Sequence, residues 1–137
     1  MRTIALISCG KSKRSESAPA HQLYTGALFQ KSLAYARRIK ADEIYILSAH
    51  YGLLDLAQEI APYEKTLNRM SSGDVARWGD AVVAQLRSRA SLTTDRFVVL
   101  AGVAYRSQLV PHLINVEFPL EGLRFGEQLK FLKAANA

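Results

Sequence analysis

Four short apolar runs punctuate the chain, at residues 3–8, 44–48, 97–101 and 115–118, and each predicts a β-strand. The first three are almost continuously apolar (Ile4-Ala5-Leu6-Ile7, Ile44-Tyr45-Ile46-Leu47, Phe97-Val98-Val99-Leu100), the pattern of strands covered on both faces. Between them the apolar period lengthens to that of a helix. Leu28, Ser32, Tyr35 and Ile39, flanked by Phe29, Leu33 and Ala36, form one broad stripe, and Val75, Trp78, Val82 and Leu86 form a second behind the start signal Ser71-Ser72-Gly73-Asp74. Tyr105, Leu109 and Leu113 predict a third helix, cut short around Pro111, and Phe125, Leu129 and Leu132 a fourth. The order βαβαβαβα predicts an α/β fold in three layers, α/β/α, with a four-stranded, mostly parallel sheet and right-handed crossovers, spanning residues 1–137 as one domain. The polar stretch 15–26 is too hydrophilic for core by composition and is expected to form a lid carrying His21 and Tyr24.

That architecture says where chemistry belongs. In an open parallel sheet the site lies beyond the carboxyl ends of the strands, so four segments are expected to converge on one crevice. They are Cys9-Gly10-Lys11-Ser12-Lys13-Arg14, Ala49-His50-Tyr51-Gly52, Gly102-Val103-Ala104-Tyr105-Arg106 and Pro119-Leu120-Glu121-Gly122-Leu123-Arg124. The first combines cations and hydroxyls at a strand end and is read as the cationic wall of a pocket for an anion. It is not a P-loop, because the position that needs the first glycine is Ala5, inside the strand. Nor is it a phosphatase loop, since only four residues separate Cys9 from Arg14. The three histidines, His21, His50 and His112, are widely spaced and a single cysteine completes no zinc set, so no metal site and no cofactor is called for.

Composition changes this picture in one respect. Eighteen Lys and Arg against 12 Asp and Glu leave a net charge of +6, which favours an anionic partner, nucleic acid (DNA favoured) or a nucleotide. One cysteine excludes an internal disulfide framework, and no apolar run reaches membrane-spanning length, so the expectation is a cytoplasmic protein without a membrane partner. Oligomeric state is left open.

Individual side chains then acquire candidate roles. Tyr24 and Tyr51 are expected to stack on a planar ring, with Lys11, Lys13 and Arg106 contacting phosphate. Ser12 and Ser48 are candidates to bond phosphate or base, with Cys9, Gly10, Gly102 and Tyr105 lining the pocket. His50 is a candidate to hydrogen-bond that ring, and Glu64 a candidate general base or cation stabiliser.

Taken together, residues 7–13, 20–24, 46–53, Pro62-Tyr63-Glu64-Lys65-Thr66-Leu67 and Leu100-Ala101-Gly102 with Tyr105-Arg106 resemble an uncharacterised family of bacterial, archaeal and phage proteins, some labelled peroxide-stress YaaA-like. That label implies DNA binding in a stress response. More remotely, the chain resembles the uracil-DNA glycosylase superfamily, whose four-stranded parallel sheet has its catalytic loop after the first strand and a Pro-containing loop after the fourth that inserts into DNA. Residues 119–125 occupy the latter position, while the acidic motif of the first loop is replaced by Cys9-Gly10-Lys11-Ser12-Lys13 and the His-Pro-Ser signature is absent. The resemblance implies an enzyme acting at the N-glycosidic bond of a nucleobase, foremost a DNA glycosylase in repair or phage defence. The alternatives are a non-catalytic DNA-binding or nucleotide-sensing domain in a stress response, and a free-nucleotide hydrolase or deoxyribosyltransferase.

Overall fold

In a computed structural model describing residues 1–137, the first predicted strand becomes the centre of the sheet. This strand, β1 (Thr3–Ser8), is buried from Ile4 to Ile7 because it has a neighbour on each edge and helices on each face. It pairs in parallel with β3 (Glu43–Ser48) through Ile4 to Ser8, and on its other edge with β6 (Arg96–Leu100) through Thr3 to Ile7. A two-residue strand, β7 (Val116–Glu117), runs parallel to β6.

The pleat sorts the core into two halves. Ile4 and Leu6 point to one face with Tyr45, Leu47, Phe97 and Val99, where they meet Trp78, Val82, Val83 and Leu86 of α3 (Ser72–Arg87). Ala5 and Ile7 point to the other with Ile46 and Leu100, against Phe29, Leu33 and Ala36 of α2 (Ala27–Arg38) and Leu132 of α5 (Phe125–Ala135). Helix α3 begins where its start signal lies, the Ser71 hydroxyl accepting from the Asp74 N–H at 3.2 Å.

Three expectations are corrected. The sheet has five strands, in the order β4-β3-β1-β6-β7, because the chain turns tightly after Ser48 and returns as β4 (Gly52–Asp55), antiparallel to β3. Gly52 makes the reversal possible: its φ of 77° lies in the left-handed region, and the Leu53 N–H beyond it donates to Gln85 Oε1 of α3. The segment 15–26 is not a polar lid. Its four apolar side chains, Ala18, Ala20, Leu23 and Tyr24, are buried in the α2 half of the core. Within it a short strand, β2 (Ala18–Pro19), pairs antiparallel with β5 (Glu59–Ile60), and α1 (Ala20–Leu23) follows. The third predicted helix is two pieces, α4 (Val103–Arg106) and a 3₁₀ turn at Val110–His112, because Pro111 has no N–H to continue the ladder.

Candidate functional site

The parallel strands β1, β3 and β6 end on one edge of the sheet, and the segment 65–70 contributes to two cavities there, Lys65 and Met70 to one and Asn68 to the other. At the end of β3 the side chain of Ser48 is fully buried. Its hydroxyl accepts from the backbone N–H of His50 at 3.2 Å and of Tyr51 at 3.0 Å, and donates to Tyr63 Oη at 2.7 Å. One donor and two acceptor positions are all a serine hydroxyl has, so Ser48 is saturated by the protein. Tyr63 continues the chain to Tyr24 Oη at 2.6 Å, and the Trp78 indole N–H donates to the Ser48 carbonyl at 2.8 Å. Burial pushes the Tyr24 phenol up to about 12 and raises the Tyr63 phenol as well, with the nearby Cys9 adding to the rise at both. Both phenols are therefore neutral hydrogen-bonding groups.

Around this chain the rings pack on one another. The exposed His50 imidazole stacks on Tyr63 with centroids 5.3 Å apart, and Tyr51 meets His50 edge-on at 4.6 Å while its hydroxyl donates to the Ala61 carbonyl at 3.1 Å. Lys13 Nζ lies 4.6 Å from the centre of the Tyr63 ring. Next to this cluster is a groove of about 630 Å³ between the β3–β4 turn and the start of α3, lined by His50, Tyr51, Lys65, Arg77 and Trp78 among others. Its guanidinium is engaged, since Arg77 pairs with Asp74 one turn earlier in α3.

The second cavity has a different character. It measures about 330 Å³ and sits between the ends of β1 and β6, where one strand connects toward β3 and the other toward β7. This is the topological switch point of the sheet. Its walls are Leu28, Leu100, Leu120 and Val103, and its polar groups come from Ser8, Asn68, Tyr105 and Gln128, with no Asp, Glu, Lys, Arg or His in the lining. Gln128 is anchored through its amide nitrogen to the Leu123 carbonyl at 3.0 Å, and the Tyr105 hydroxyl is 3.5 Å from Cys9 Sγ. Burial raises the Tyr105 phenol as well, again with the neighbouring Cys9 as the next cause. The side chains of Ser8 and Asn68 have no protein partner.

A family model described as "Family of unknown function (DUF6884)" matches residues 4–134. The chain belongs to that family. The DUF6884 match takes in both cavities and the hydroxyl chain between them. No curated protein and no solved structure matches the chain.

Within this DUF6884 chain the residues singled out from the sequence divide sharply. His50, Tyr51, Ser48, Tyr24 and Lys13 come together with Tyr63, whereas Gly102 and Tyr105 line the switch-point pocket and Cys9 lies between, half-buried and bonded to Tyr105. Tyr24 offers no stacking face, because its ring is wholly buried against Phe29 and its hydroxyl is held by Tyr63. Ser48 has no free valence for a ligand. The cationic wall is also corrected: Lys11 and Ser12 are exposed, Lys13 rests on Tyr63, and Arg106 lies 5.5 Å over the Phe118 ring, so none of them lines either cavity. The reason is local, since the loop after β1 turns back to pair Lys13 with Tyr24, Arg14 N donating to Leu23 O at 2.9 Å and Thr25 N to Ser12 O at 3.0 Å. Gly10 sits in that loop with only the Phe29 side chain near. Glu64 is exposed and lines neither cavity. No three His, Cys, Asp or Glu side chains converge in a metal-ligating group, and no helix is long and apolar enough to cross a membrane. Asn68 and Gln128 carry no motif, and Tyr63 is signalled only by its place in the run Pro62-Tyr63-Glu64-Lys65-Thr66-Leu67.

Proposed function

We propose that this protein recognises a nucleobase, carried by a free nucleotide or by DNA, in the switch-point pocket, and that it works as a nucleotide-sensing or DNA-binding domain. The observation that carries this reading is the pocket's lining: aliphatic walls with the Asn68 and Gln128 amides and the Ser8 hydroxyl, and no charged side chain. Aliphatic walls accept the faces of a flat heterocycle, and carboxamides present donor and acceptor together to its edge. A phosphate or sugar acid in the same place would lose its hydration with no cation in the lining to replace it. Lys11 and Arg14 are exposed on the loop after β1, the strand whose last residue, Ser8, lines the pocket.

Calorimetric titration with the common nucleosides and their monophosphates tests this reading. One base class is expected to bind, and Asn68→Ala is expected to weaken it about tenfold, the usual effect of removing one buried polar partner. Binding that Asn68→Ala leaves unchanged, or no binding by any nucleoside, overturns it.

A second reading, excision of a base at its N-glycosidic bond, is supported by the exposed His50 imidazole at the same strand edge and by the resemblance to uracil-DNA glycosylases. It requires Glu64 or another carboxylate to reach the sugar. Incubation with DNA containing uracil, hydroxymethylated or glucosylated bases separates the two. The first reading expects no free base and no abasic site; release that is lost in Glu64→Gln and His50→Ala establishes the second.

A further inference from the structure

The switch-point pocket holds no cation, and the larger groove holds only Lys65 and the Asp74-paired Arg77. Six of the 18 Lys and Arg (Lys31, Arg37, Arg38, Lys40, Lys130, Lys133) but only two of the 12 Asp and Glu (Asp42, Glu127) lie on α2, the turn after it and α5, so these elements hold +4 of the net +6. The ion pairs all lie elsewhere, at Arg2–Asp95, Arg77–Asp74, Arg89–Asp55 and Arg96–Glu117. The two helices pack side by side on the same face of the sheet, Asn136 at the end of α5 donating to the Lys31 carbonyl at 3.1 Å. Between the cations lie two rings, Tyr35 and the exposed Phe131, with centroids 6.2 Å apart.

One of these cations sits where the backbone disfavours a side chain. Helix α2 ends with Lys40 N bonded to Arg37 O and Ala41 N bonded to Ala36 O, a closure that puts Lys40 at a φ of 57°, where glycine is the favoured residue. A lysine there is a cost to folding that glycine would not incur.

We propose that the α2–α5 face is a docking surface for the phosphate backbone of a nucleic acid, separate from the cavities at the strand ends. Charge complementarity selects a polyanion, and unpaired cations interleaved with aromatic rings suit a strand whose phosphates and bases are both in reach. An anionic membrane is disfavoured because the apolar stripes of both helices, Phe29, Leu33, Ala36 and Leu132, are spent on the sheet and leave little to insert. The proposal stands on the surface alone and does not need the nucleobase reading of the pocket.

Fluorescence anisotropy with a labelled 20-nucleotide single-stranded DNA, read across a salt series, is the test. Arg37→Glu and Lys130→Glu are each expected to weaken binding about fivefold or more and to flatten the dependence of log K on log salt by about 0.7 per lost contact. Arg87→Glu, an exposed change of the same charge at the end of α3, is expected to leave affinity within about twofold. Lys40→Gly is expected to raise the melting temperature by about 3 °C while weakening binding, a split that a purely structural lysine does not give. Equal losses in Arg87→Glu, no binding of DNA at all, or binding to phosphatidylserine vesicles in place of DNA overturns the proposal. Retained DNA binding in Asn68→Ala alongside loss in Arg37→Glu separates this surface from the pocket.

Discussion

The two regions at the carboxyl edge of the sheet are built from similar residue types and are in opposite states. Around Ser48 the protein answers most of its own polar groups: the hydroxyls of Tyr24, Tyr63 and Ser48 form one chain, saturated at Ser48 by two backbone N–H groups, and the Trp78 indole holds the Ser48 carbonyl. Around the switch point, Ser8 and Asn68 have no protein partner, and only the amide nitrogen of Gln128 and the Tyr105 hydroxyl are engaged. The difference teaches that chemistry-bearing side chains at a strand end do not by themselves mark a site. What marks it is polar capacity the fold has left unused.

Substitutions that separate stability from binding break or sharpen this contrast. The largest effect is expected from Ser48→Ala, which leaves the His50 and Tyr51 N–H groups and Tyr63 without their partner and is expected to cost about 3 kcal/mol in urea unfolding. A loss below about 0.5 kcal/mol, the level of an ordinary surface change, means that the cluster is not structural.

Next comes a control far from either cavity. Asp95 is buried and accepts from the Arg2 N–H at 3.1 Å and the Ser91 N–H at 2.9 Å, contacts that hold its carboxyl below the usual range. Asp95→Ala is expected to lower the urea unfolding midpoint near neutral pH. Because the folded pKa is depressed, this stabilisation is present above the unfolded carboxylate pKa and is lost as pH falls through the folded one, so the gap between wild type and variant narrows in acid.

A smaller effect of opposite sign lies in alkali. The Tyr24 phenol is raised from 10.0 to about 12, so its stabilising contribution is complete below the unfolded pKa and disappears as pH rises from there through the folded value. Unfolding free energy is expected to fall between those two pH values, less steeply in Tyr24→Phe. Parallel curves for the two proteins contradict the assignment of Tyr24 to the closed cluster.

The smallest effect on stability is expected at the open region. Asn68→Ala, an exposed residue with no side-chain bond, is expected to change unfolding by no more than about 0.5 kcal/mol. A larger loss means the pocket side chains serve the fold as Ser48 does.

How far the sequence discloses each region follows from the same contrast. Strands β1, β3 and β6 are legible because their burial on both faces forces unbroken apolar runs, and α3 because Ser71 supplies its cap. Strand β4 is hidden, since Gly52-Leu53-Leu54 after a strand looks the same as a loop leaving the sheet until Gln85 is known to lie beside it. Tyr24 misleads because its neighbours Gln22 and Thr25 are polar while its own ring turns inward. His50 and Tyr51 stand out by chemical type and do meet at the strand edge. Asn68 and Gln128 are brought to the pocket only by tertiary folding, one from the 3₁₀ turn at Leu67–Arg69 and one from α5, and an amide carries no motif.

The account's central claim is that the switch-point pocket, not the tyrosine cluster, is the open binding region. Side-chain amide resonances of Asn68 and Gln128, followed by two-dimensional ¹⁵N NMR during titration with free nucleosides, test it most directly. The prediction is that these two signals and the Gly102 backbone amide shift together and saturably with one base class. Shifts confined to His50, Tyr51 and Lys65, or no shift with any nucleoside, contradict it.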